Sequence, residues 1–134
     1  MYDPSLMSFV SPELIESYQK WTGNAVAQLR ALATDWQEAR RSADTARVAM
    51  HEIAHNIKGM GTSFGHPLMT EAGRSLADFL RLKPDVVPDE LAVIVAHIAA
   101  LEQILALGPG EHDDMRERLI APLHLLTGLE TTQA

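Results

Sequence analysis

The stretch His51-Glu52-Ile53-Ala54-His55-Asn56-Ile57-Lys58-Gly59-Met60-Gly61-Thr62-Ser63-Phe64-Gly65 decides how this chain folds. Turned at about 100° per residue with Ile57 at zero, Met50, Ile53, Met60 and Phe64 all fall within roughly 60° of it and form the expected buried face. His55 lies about 160° away, and His51, Lys58, Gly59 and Thr62 share that outer side. The segment therefore reads as an amphipathic helix that shows a histidine to water. Asp44 is its expected N-cap, and Gly65 its left-handed terminator just past Phe64. Each of the two glycines costs about 1 kcal/mol against alanine inside a helix, so each needs a reason. Side chains lean toward a helix's N-terminus, and one at position 59 would lie over the His55 ring. Gly59 leaves that ring uncovered. Gly61 falls nearer the buried side, where a missing side chain admits a neighbouring helix.

Helical periodicity continues in both directions. Upstream, Ser11 can cap a helix whose first position is Pro12, and Leu14, Tyr18, Trp21, Ala25, Leu29, Leu32 and Trp36 recur at three- and four-residue steps until about Arg40. Both tryptophans read as core. Gly23-Asn24 leaves open whether this is one helix or two. Downstream, His66-Pro67 starts a third helix that turns Leu68, Ala72, Leu76, Phe79 and Leu80 inward until Lys83-Pro84 stops it. A fourth begins at Pro88-Asp89-Glu90, carries Leu91, Ile94, Val95, Ile98, Leu101 and Leu105 on one side, and breaks at Gly108-Pro109-Gly110. A last helix from about Asp113 buries Met115, Leu119, Leu123 and Leu126, with Pro122 kinking or shortening it. No segment alternates with a two-residue period, so no sheet is expected. Short connections between successive helices predict an all-α fold: an up-and-down antiparallel four-helix bundle with an additional N-terminal helix.

The 134 residues suit one domain, 1–134, with residues 1–10 as an N-terminal extension. Cysteine is absent, which removes disulfides, thiolate metal sites and cysteine nucleophiles. A reducing, cytoplasmic setting fits. The N-terminus lacks the pattern of a signal peptide, and no run approaches a membrane span, so no membrane partner is expected. A formal charge of −7 repels a phosphodiester backbone and argues against nucleic acid.

The outer face of the second helix carries the chemistry. A neutral imidazole is a competent nucleophile near neutral pH. Lys58, one turn on, offers an ammonium that attracts phosphoryl oxygens and disfavours the imidazolium form.

The pattern His55-x-x-Lys58-Gly59-x-Gly61-x-x-Phe64-Gly65 resembles the signature of histidine-containing phosphotransfer (HPt) domains, and the helix pattern around it suits that family. The resemblance implies a two-component phosphorelay intermediate. His55 would accept a phosphoryl group from one receiver-domain aspartate and pass it to another through a phosphoramidate. Lys58 would steady the phosphoryl oxygens, while Gly59, His51 and Thr62 border the partner's access. It implies response-regulator receiver domains and a hybrid histidine kinase as partners. No cofactor of its own is expected, the Mg2+ belonging to the receiver. Gly108-Pro109-Gly110 lacks a following Lys-Ser/Thr, so no ATP site and no kinase activity are expected. One departure stands out: many members place a polar side chain on the next helix to hold the other ring nitrogen, and here Ala77 occupies that position. Asp78, Arg74 or water are the available substitutes.

Other patterns overlap the same residues. His51-Glu52-Ile53-Ala54-His55 satisfies the H-E-x-x-H arrangement of zinc peptidases, with Glu71 or Glu90 as conceivable third ligands. Yet the longer form of that motif wants glycine at 58 and histidine at 61, and an ammonium opposes a dication. The phosphorylated box of a histidine kinase core would continue with a basic residue and a proline, neither of which follows. A phosphotransfer domain excised from a chemotaxis-type kinase would suit the motif equally well. A bare helical bundle, with His55 a surface histidine and the glycines serving packing, fits the composition, but the density of the motif argues against it. His66, His97, His112 and His124 are expected to serve packing, capping or exposure.

Overall fold

The computed structural model describes residues 11–82, 89–110 and 112–128. The extension expected over 1–10, the stop at Lys83-Pro84 and Pro88 lie outside them. Among the described residues the chain is all-helical, without a strand. Helix α1 spans Pro12–Gln37, α2 Ala43–Ser63, α3 Pro67–Leu82 and α4 Glu90–Leu107. A 3-10 turn at Asp113–Met115 then leads into α5 (Arg116–Leu119) and α6 (Ala121–Thr127).

Local chemistry accounts for most of these boundaries. Ser11 caps α1, its Oγ accepting from the Leu14 N–H at 3.1 Å, and Asp89 caps α4 by accepting from the Ala92 N–H at 3.1 Å. Helix α2 is capped by Ser42 rather than by Asp44, because the Ser42 Oγ accepts from the Thr45 N–H at 3.2 Å. Asp44 sits in the first turn instead, where a carboxylate still favours the positive end of the helix dipole. Gly23 does not interrupt α1, which runs unbroken to Gln37, three residues short of the expected end. Past it Ala39 adopts a left-handed φ of 59°, and the Arg40 N–H returns to the Asp35 carbonyl at 2.8 Å. Gly65, at φ 63°, terminates α2 as its sequence position predicts.

Helix α1 packs against α2 and α4, α3 packs against α2 and α4, and α6 lies on α3 and α4. Leu29, Met50, Ile57, Leu76, Phe79, Ile94, Ile98 and Leu101 meet in one continuous core. Bidentate Arg30–Glu102 joins α1 to α4. Arg47 joins α2 to α4 through both oxygens of Glu90 and lies 5.3 Å over the Trp36 ring. By length and composition α4 is apolar enough to cross a bilayer, with a mean hydropathy of 1.8 over 18 residues, so the expectation that no run approaches a span fails there. Its apolarity here serves the core: of its expected set Ile94, Ile98 and Leu101 are buried, with Val93 and Ile104 beside them, while Leu91, Val95 and Leu105 pack against the core only partly covered.

Some expected core residues sit outside. Leu14 is 53% exposed and Trp21 37%, because α2 and α4 cover the side of α1 marked by Tyr18, Thr22, Val26 and Leu29. The last expected helix is divided at Ile120, where Pro122 at the start of α6 cannot continue the turn from α5. Leu126 is left 45% exposed, while Leu119 and Leu123 are buried as expected.

Candidate functional site

The site begins with the way α2 is seated. Its buried residues are Ala46, Met50, Ala54, Ile57 and Gly61, whereas Ile53, Met60 and Phe64 are only partly covered. The helix is thus rolled slightly from the orientation its large apolar residues alone suggest. The cause lies on α3. A Cβ at Gly73 would meet the Lys58 backbone nitrogen at 3.1 Å, the Ala54 carbonyl oxygen at 3.2 Å and Ile57 Cγ2 at 3.2 Å. At Gly61 it would meet Thr70 Oγ1 at 2.7 Å and the Thr70 nitrogen at 3.0 Å. Two glycines, one on each helix, let the backbones of α2 and α3 close together, which pulls the Ala54–Gly61 side inward.

The opposite side of α2 stays in water. His55, Glu52, Asn56, Gly59 and Thr62 are exposed, and His51 and Lys58 are half-buried. The rings of His51 and His55 are nearly parallel, 14° apart in orientation, with centroids 6.4 Å apart. Open space surrounds Gly59, where an added Cβ would meet nothing within 4 Å. The Thr62 hydroxyl donates back to the Lys58 carbonyl at 3.1 Å and lies 3.3 Å from the Thr70 hydroxyl, so it fastens the end of α2 to α3 rather than reaching toward His55. The Lys58 ammonium forms no ion pair with a described residue.

No described side chain hydrogen-bonds either ring of the His51–His55 pair. The position expected to orient the His55 ring is buried Ala77. Asp78 faces Arg81 across 3.6 Å, and Arg74 is exposed. His51 and His55 are therefore brought together, with Lys58 and Gly59 on the same helix, whereas Thr62 is engaged toward α3 and no described group fixes the ring.

Of the residues invoked for a zinc centre, His51 and His55 lie side by side, but the two candidate third ligands are engaged by arginines. Glu71 pairs with Arg116 and Glu90 with Arg47, and among the described residues no three His, Asp or Glu side chains converge as a ligand set.

Other histidines occupy contrasting settings. His66 is buried beside Tyr18, whose hydroxyl is 2.8 Å from His66 Nδ1, and Tyr18 stacks on Phe64 at 4.6 Å. Burial pushes the His66 imidazole down to about 4, helped by nearby His112, and lifts the Tyr18 phenol to about 12. His97 donates from Nδ1 to the Val93 carbonyl at 2.9 Å, which leaves Nε2 to accept from the Ser75 hydroxyl at 2.8 Å. Burial lowers its imidazole to about 4 as well. His112 places Nε2 3.1 Å from the Gly108 carbonyl. Gly73 and the Tyr18–His66 and Ser75–His97 pairs were not legible as such in the sequence. A glycine inside α3 was the one signal present, and the polar pairs join residues 48 and 22 positions apart.

No protein-family profile, curated protein or solved structure matches the chain.

Proposed function

We propose that this chain is a histidine phosphotransfer protein of the HPt type, relaying a phosphoryl group between receiver-domain aspartates through phosphohistidine at position 55. One observation carries the reading: an exposed imidazole that no described residue hydrogen-bonds stands on the outer face of α2, with open space at Gly59 and, one turn along, the Lys58 ammonium in no ion pair with a described residue. The packing of α3 against α2 and α4, of α6 on α3 and α4, and of α1 on α2 and α4 supports the accompanying fold, an antiparallel four-helix bundle with an additional N-terminal helix.

The chemistry asks little of the chain. A ring nitrogen of neutral His55 attacks the phosphorus of an aspartyl phosphate, an N–P bond forms as the acyl-phosphate P–O bond breaks, and the receiver's carboxylate leaves. The imidazole proton passes to solvent. Lys58 supplies positive charge for the phosphoryl oxygens, and the vacancy at Gly59 admits the partner's surface, bordered by His51 and Thr62. Because no described residue grips the ring, water or the partner completes its orientation. Magnesium belongs to the receiver, and the phosphoryl group originates from a hybrid kinase in the cytoplasm. The same site would operate unchanged within a chemotaxis-type kinase.

Incubation with a phosphorylated receiver is expected to place label on this protein as an acid-labile, alkali-stable adduct. His55→Gln removes that label, and His51→Gln leaves an adduct on His55. Persistent labelling of His55→Gln overturns the assignment. Peptide hydrolysis that depends on Glu52 and added zinc would favour the peptidase reading in its place.

A further inference from the structure

Histidines one turn apart on a helix present their rings side by side, and here the two rings are also nearly parallel and unclaimed. His66, His97 and His112 each commit a ring nitrogen to Tyr18, Ser75 and Val93, or Gly108. His51 and His55 commit none to any described residue, so taking up a ligand costs them no protein hydrogen bond. An ion held at ~2.0–2.1 Å by one nitrogen of each ring separates two imidazole centroids by roughly 5–6 Å. The observed separation is 6.4 Å. Because each nitrogen's lone pair lies in its ring plane, the two stacked rings must turn as well as approach, and rotation about the χ angles of two side chains with no described hydrogen bond does both without a change in the backbone.

The surroundings leave room for the rest of a coordination shell. The ring of exposed His55 opens to water, and His51, without His55, also lines a surface groove of about 370 Å³ with Asp44, Arg47 and Arg81. Arg47 is paired with Asp44 and Glu90, and Arg81 faces Asp78. Their charges are thereby largely offset. Exposed Glu52 lies between the two histidines in sequence and adds negative charge nearby. Lys58 opposes a cation, but a half-exposed ammonium on a flexible stem is screened by water.

We propose that His51 and His55 form a two-ligand surface site for a borderline transition-metal ion such as Zn2+, with water filling the remaining positions, and that an ion held there prevents phosphoryl acceptance. Imidazole nitrogen is a preferred donor for such ions, and two protein ligands distinguish this site from a three-ligand hydrolytic centre. The second half of the proposal rests on the phosphotransfer reading. A ring nitrogen whose lone pair is bound to metal cannot attack phosphorus, and the ion's water shell fills the space left by Gly59. Lys58 then acts in opposite directions on the two ligands, attracting phosphoryl oxygens and repelling the ion.

Calorimetric titration of the full chain with Zn2+ in a non-chelating buffer at neutral pH tests the site directly. One ion per chain is expected. His51→Gln and His55→Gln should each weaken binding at least tenfold, while Lys58→Gln tightens it two- to fivefold. Helical circular dichroism checks that each variant remains folded. Absence of binding at millimolar Zn2+, or parent-like binding by His51→Gln, overturns the site. In the labelling assay Zn2+ should halt phosphoryl acceptance by the parent, EDTA should restore it, and His51→Gln should need at least tenfold more Zn2+ for the same inhibition. Labelling that continues once titration shows the site filled overturns the inhibitory role. A protein that binds Zn2+ through both histidines but accepts label from no phosphorylated receiver keeps the metal site and loses the phosphotransfer reading.

Discussion

The two sides of α2 use the same few residue types to opposite ends. Toward α3, Gly61 is buried against Thr70, and Gly73 of α3 is pressed against Ala54, Ile57 and Lys58, so the missing side chains are filled by a neighbouring backbone. Away from α3, Gly59 faces open space. Histidine divides in the same way, because His66 and His97 are buried and bonded while His55 is exposed and held by no described side chain. A glycine or a histidine thus declares nothing by itself. What decides its role is whether another element occupies the volume beside it.

Acidification should expose this contrast most strongly. Folding holds His66 and His97 at about 4, below the ordinary 6.5, so the unfolded chain takes up protons first as the pH falls. The stability they contribute is fully present above pH 6.5 and is lost as the pH falls toward 4. A loss of several kcal/mol across that window is expected, on the order of the shifts of two buried groups. Urea unfolding at a series of pH values measures it, and His97→Gln should flatten the dependence by removing one of the two titrations. Equal slopes in parent and variant would show that burial of His97 does not govern the acid response.

Overfilling the inner side comes next in size. Gly73→Val forces Cβ against two backbone atoms of α2, and a helix must shift to make room, at a cost of about 2 kcal/mol. The urea midpoint should fall accordingly. An unchanged midpoint would mean that α2 and α3 are free to separate, and that Gly73 does not set the roll of α2.

The smallest change in stability belongs to the outer side, and its sign is reversed. Gly59→Leu removes a glycine from a helix interior where an added Cβ meets nothing within 4 Å, so stability should rise by up to about 1 kcal/mol. The same variant should stop accepting label at His55, since the leucine fills space a partner needs. A stabilised protein that is still labelled at the parental rate would remove Gly59 from the site and leave it as an incidental surface glycine.

Much of the architecture was open to reading from residues close together in sequence. Ser11, Asp89 and Gly65 mark helix ends because a cap is a bond across three residues or a single backbone conformation. The exposure of His55 followed from the angle separating it from Ile57. Where two local signals competed, the reading went astray: Ser42 and Asp44 are both able caps, and only backbone geometry selected Ser42. Trp21 and Leu14 were assigned to the core on apolar character, although the stripe of α1 is wider than the surface α2 and α4 cover.

The sequence by itself therefore determined the helices, the side of α2 that faces water and the cluster of His51, His55, Lys58 and Gly59 on it, since these depend on a fixed turn per residue. Tertiary structure alone decided the close approach at Gly61 and Gly73, the burial of His66 and His97 with their partners, and the absence of a described side chain bonded to the His55 ring. Those features are set by distances between segments far apart in the chain. No local periodicity encodes them, because they exist only once the helices have packed.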